Sequence, residues 1–109
     1  MPDAQTTAPS TPLTFAALQQ LIRDRYYATD SARGTPATFM WFIEEIGELS
    51  TALANNAPGT TPTAEQRANL DEEFADVIAW LCTLANVNNV DLTKALEKYT
   101  VRGVEGVKS

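Results

Sequence analysis

The sequence predicts an all-α domain, a four-helix arrangement completed by association with further copies. Three observations predict it. Apolar residues recur at three- and four-residue spacing along most of the chain. Helix-start residues stand before those runs: Thr35-Pro36, Thr61-Pro62 and Asp91. No stretch alternates as a half-buried strand would, and no glycine-rich loop is set to cradle a phosphate.

Residues 1–11 are rich in Thr, Ala, Pro and Ser and read as a mobile tail. The domain proper is expected over 12–102. Its first helix starts near Pro12 or Thr14 and runs to about Tyr27, with Phe15, Leu18, Leu21, Ile22 and Tyr26 at helical spacing. Residues 28–34 read as a polar turn closed by Gly34. The second helix runs from Thr35-Pro36 to about Asn55, where Asn55–Thr60 breaks it. The third spans roughly 62–88 and the fourth about 92–102, capped by Asp91. Gly103 and Gly106 mark the start of a flexible tail, 103–109.

A chain of 109 residues makes one small domain. A domain this small buries a modest share of its surface, so a partner subunit helps it. Net charge is −6, from eight basic and fourteen acidic residues. That excludes non-specific binding to nucleic acid or to an anionic membrane, which needs basic patches. No apolar run approaches a membrane span and no signal peptide is visible, so the expected compartment is the cytoplasm. The single cysteine, Cys82, lies in an apolar helical run and reads as a buried, inert thiol. The chain has no histidine, so a Cys–His nucleophile is impossible.

Chemistry concentrates in two stretches, Phe39–Leu49 and Leu70–Trp80. At a helical turn of about 100° per residue, Phe39, Phe42, Ile43, Ile46, Leu49 and Leu53 share a face. Measured from Ile46, Glu45 and Glu48 lie roughly 100° and 160° round the helix in one sense. In the later helix Leu70, Phe74, Val77, Ile78, Leu81 and Ala85 share a face. Measured from Phe74, Glu73 and Asp76 take the same two angles. A short connection makes the two helices antiparallel neighbours, so two i, i+3 carboxylate pairs meet at the edge of one core.

Acids beside an apolar stripe are usually a solvated flank. Two pairs at matched angles weaken that reading, and so does the lack of a basic residue three or four positions away. Like charges at this spacing repel, and a divalent cation removes the repulsion. An all-carboxylate set suits Mg²⁺, Mn²⁺ or Ca²⁺. Zinc and the usual di-iron bundle are disfavoured by the missing histidine. The competing reading is a non-catalytic helical interaction module, or a metal- or nucleotide-sensing one.

Glu44-Glu45-x-x-Glu48 followed by Glu73-x-x-Asp76 resembles the signature of the MazG-like nucleoside triphosphate pyrophosphohydrolases, an all-α superfamily, over roughly 13–102. The resemblance implies hydrolysis of a nucleoside triphosphate, ribo or deoxy, to the monophosphate and pyrophosphate. It implies Mg²⁺, with Mn²⁺ as substitute, and a homodimer or homotetramer. It implies Glu45, Glu48, Glu73 and Asp76 as metal ligands, and Glu44 as a further ligand or a residue orienting water. Asn86, Lys98 and Arg102 look similar to the family's phosphate-facing residues, and Lys94 shares their stripe. Trp80 and Trp41 lie on the carboxylate flank, where each walls a base pocket or a subunit interface. The short connection between the motif helices fits a compact, nucleotide-pool house-cleaning type better than a dedicated dUTPase.

Overall fold

The computed structural model describes residues 12–101. The tails expected at 1–11 and 103–109, and Arg102, lie outside them. The described chain is all helix and turn: α1 (Phe15–Asn55), α2 (Ala64–Val87), α3 (Leu92–Ala95) and α4 (Glu97–Thr100). Thr14 caps α1 by accepting from the Ala17 amide at 3.0 Å.

The first two expected helices are one element of 41 residues, kinked at Gly34. Residues 28–33 are helical, against the expected polar turn. Two local interactions hold them so: Arg33 pairs with Asp30 one turn earlier, and Ser31 donates to the Ala28 carbonyl at 3.4 Å. The break narrows to Gly34, whose φ of 81° and ψ of 170° suit glycine alone. Pro36 follows at a position where no helical amide is needed. The Thr35 hydroxyl accepts from the Asn88 amide at 3.2 Å, tying the kink to the end of α2.

The α1–α2 turn is fastened by Asn56, whose side chain donates to the Ala52 carbonyl at 2.8 Å and the Gln66 carbonyl at 3.1 Å. α2 starts two residues after the expected Pro62. Thr63 and Gln66 form a reciprocal capping box there, a signal legible as Thr-x-x-Gln. Asp91 caps α3 as expected, accepting from Thr93 and Lys94. The expected fourth helix is interrupted at Leu96, giving two one-turn pieces.

α1 and α2 pack antiparallel. Asn56 meets Gln66 at the turn, Trp41 stacks on Trp80 with centroids 6.5 Å apart, and Thr35 reaches Asn88 at the far end. The strip of α1 that enters this contact is small or polar: Thr38, Glu45 and Ala52, seven residues apart. The faces expected to form the core are instead largely uncovered in the single chain. Phe39 is 50% exposed, Ile43 49% and Phe74 48%, while Phe42, Leu49 and Val77 are half-buried. A helix with one long neighbour covers only one strip. Here the strip with small side chains, which permits the closest approach, wins over the bulkiest one. Cys82 is fully buried beneath it, and burial pushes its thiol pKa up, as an inert cysteine requires.

Candidate metal centre

The antiparallel register sets Glu48 across from Glu73 and Glu45 across from Asp76. Helix packing thereby brings three of the four paired acids together, with Glu48 outside the group. One carboxylate oxygen from each of Glu45, Glu73 and Asp76 lies within 4.8 Å of the others. Glu73 is buried, Glu45 half-buried and Asp76 exposed, so the cluster runs from the helix interface to solvent. Glu48 stands at its exposed edge, near enough to raise the pKa of Glu45 and of Glu73.

Both shifts have the same origin. Burial is the largest cause for Glu45, followed by the charges of Glu48, Asp76 and Glu44. Burial is also the largest for Glu73, followed by Glu48, Asp76 and Glu45. Among the described residues, no lysine or arginine forms an ion pair with these acids; the pair found is Arg33–Asp30. Glu45 Oε2 and Glu73 Oε1 are buried without a hydrogen-bond partner. Buried acceptors of one charge, unpaired and converging, are costly as they stand. They fit a hard divalent cation, which takes carboxylate oxygens.

The remaining expected residues fall elsewhere. Glu44 is exposed and lines a shallow hollow with Ala37, Met40 and Trp41, on the flank turned away from the cluster. Trp80 is one turn beyond Asp76. It stacks on the Trp41 ring, and the Arg33 guanidinium lies 5.1 Å from its centroid. Asn86 is ten residues past Asp76, roughly 15 Å along the helix axis. Its amide is committed to the fold: it accepts from Gln19 Nε2 at 3.0 Å and donates to the Gln19 carbonyl at 3.2 Å. Lys98 is half-buried on α4, its ammonium 5.7 Å from the Tyr99 ring centroid, and Lys94 is exposed on α3.

Sequence reasoning missed Asp30, Arg33 and Thr38, which form a buried polar group one turn from the tryptophans. Asp30 accepts from Arg33, and Arg33 Nε donates to Thr38 Oγ1 at 3.0 Å. The i, i+3 pairing of Asp30 with Arg33 was the available signal, obscured because the segment reads as a turn.

Among the described residues no helix is long and apolar enough to cross a membrane. Residues 34–103 match the MazG nucleotide pyrophosphohydrolase domain. The match takes in both motif helices and begins at the kink, leaving the first half of α1 before it. Among curated proteins, none matches the chain.

Proposed function

We propose, since the chain belongs to the MazG nucleotide pyrophosphohydrolase domain family, that it is a Mg²⁺-dependent nucleoside triphosphate pyrophosphohydrolase with a nucleotide-pool house-cleaning role. The observation that carries this reading is the convergence of Glu45, Glu73 and Asp76, with two buried carboxylate oxygens left unpartnered. Glu45, Glu48, Glu73 and Asp76 would hold the cation, and Mn²⁺ would substitute for Mg²⁺. Bound there, a divalent cation supplies charge neutralisation for phosphate oxygens and lowers the pKa of water.

The protein's own groups do the rest. Packing of α1 on α2 fixes the carboxylates before substrate arrives, so little reorganisation is needed. Exposed Glu44, on the flank turned away from the cluster, would take no direct part in holding the cation or its water. Trp80, in contact with Trp41 and Arg33, would wall the side on which a nucleoside extends. Lys98 on α4, and Arg102 beyond the described residues, would meet phosphates. Asn86 acts there by holding the start of α1 in place.

The uncovered apolar faces of α1 and α2 support a homodimer or homotetramer, because a surface this apolar is stable only when a second copy covers it. The proposed compartment is the cytoplasm, where nucleotide pools lie.

The test is a panel of ribo- and deoxynucleoside triphosphates with Mg²⁺, read separately for pyrophosphate and orthophosphate. Pyrophosphate with the matching monophosphate is expected, and chelation should abolish it. Release of orthophosphate alone, or full activity in Glu48→Gln, would contradict the assignment. A helical interaction module would release neither product.

A further inference from the structure

A second site opens on the other side of Trp80. A cavity of about 320 Å³ lies between the first half of α1 and the middle of α2, lined by Ile22, Tyr26, Asp30, Arg33, Trp80 and Thr83 among others. Asp30 is only 5% exposed. Its Oδ1 takes the Arg33 guanidinium, whereas its Oδ2 is buried with no hydrogen-bond partner. Arg33 is itself pinned, by Thr38 on its Nε and by the Trp80 ring beneath it. The carboxylate therefore has little room to turn its free oxygen elsewhere.

An ionised Oδ2 can only accept, so what meets it must donate. The walls are largely apolar and aromatic, which suits the body of a flat heterocycle. Trp80 and Thr83 lie four and seven residues past Asp76, roughly 6 to 10 Å along the axis. A nucleotide whose phosphates meet the acidic cluster would bring its base to that distance.

We propose that Asp30 is a specificity-determining residue: its free oxygen accepts a hydrogen bond from the exocyclic amino group of the substrate's base. This rests on the nucleotide pyrophosphohydrolase reading of the neighbouring acids. The class selected is the cytosine- or adenine-type base, which presents an amino group beside a ring-nitrogen acceptor. A keto base in the same pose sets a carbonyl oxygen against the carboxylate, two acceptors with no proton between them. Leaving a buried charged acceptor unmatched carries a large penalty, which is how polar sites reject near-isosteres. A ribose hydroxyl could also donate, but it would leave the aromatic wall with no ring to meet.

The geometry predicts what amidation does. In Asp30→Asn the side-chain oxygen must face Arg33, because the amide nitrogen cannot accept from a guanidinium. The amide NH₂ then takes the place of Oδ2, and an acceptor becomes a donor. Preference should move from the amino base to the keto base.

The experiment measures kcat/KM on two matched pairs, CTP against UTP and ATP against ITP, for wild type and Asp30→Asn. The wild type should favour the amino member by about tenfold or more, and the variant should lose or invert that ratio. A wild type that does not discriminate, or a folded variant with the wild-type ratio, overturns the proposal. If Asp30→Asn does not fold, CTP dimethylated on its amino nitrogen decides with the wild type alone. It should lose at least tenfold against CTP, and equal turnover overturns the proposal. If no nucleotide is hydrolysed, the pyrophosphohydrolase reading fails by itself. Calorimetric binding of CMP against UMP then decides the role of Asp30 by the same ratio, and equal or absent binding overturns it.

Discussion

Truncating Gln19 to alanine should destabilise the fold by about 2–4 kcal/mol, for reasons that can be counted. The Gln19 amide fastens three segments. Its Nε2 donates to Asn86 Oδ1 at 3.0 Å and to the Val90 carbonyl at 2.7 Å, and its Oε1 accepts from the Leu92 amide at 3.0 Å. Val90 is exposed, so its carbonyl turns to water at small cost. Asn86 is 3% exposed, and its Oδ1 would be left buried and unpaired, which costs about 1–3 kcal/mol. The Leu92 amide adds the net worth of one ordinary hydrogen bond, about 1 kcal/mol. For a chain of this size the sum lowers Tm by roughly 10–20 °C. Thermal and urea denaturation at fixed protein concentration measure it, and Asn86→Ala closes a double-mutant cycle. The two sites should couple by at least about 1 kcal/mol, since either change breaks the same bond. A Gln19→Ala change below about 0.5 kcal/mol, or strict additivity with Asn86→Ala, would refute the clasp.

Three further outcomes are expected. Gly34→Ala should cost about 1–3 kcal/mol by backbone strain alone, because a Cβ there meets nothing within 4 Å and φ is 81°. Gly47→Ala has the same open space but an ordinary helical backbone, so it should raise stability by about 0.5–1 kcal/mol; urea midpoints separate the two glycines. The metal-free protein should lose stability as pH rises from near 4.5 through the raised values of Glu45 and Glu73. In that window the folded state binds more protons than the unfolded one, so ΔG of unfolding falls with pH. Melting scans across pH should show the fall in chelator and a smaller one in Mg²⁺; a rise with pH would contradict the sign.

The class of fold and the acid pairs were legible because both depend on local spacing. Thr14 and Asp91 cap where their side chains can reach free amides, and Glu45/Glu48 and Glu73/Asp76 follow from helical period. What was illegible depends on which strips meet. Phe39, Ile43 and Phe74 look like core on a helical wheel, yet the contact goes through Thr38, Glu45 and Ala52. A wheel gives angles within a helix and carries no information on which angle faces the neighbour. Residues 28–33 look like a turn by composition. They stay helical because Asp30 pairs with Arg33 and is buried against α2, an interaction 50 residues distant in sequence. The cavity beside Trp80 exists only through that packing, so Asp30 gave no signal beyond its spacing from Arg33.

The carboxylates of α1 and α2 are proposed to form one cation site. Titration of Mn²⁺ into the metal-free protein, followed by electron paramagnetic resonance of the free ion, tests it without reference to turnover. Saturable binding is predicted for the wild type, competed by Mg²⁺ and largely lost in both Glu73→Gln and Asp76→Asn, one change from the buried end of the cluster and one from its exposed end. Binding that survives both substitutions unchanged would contradict the account.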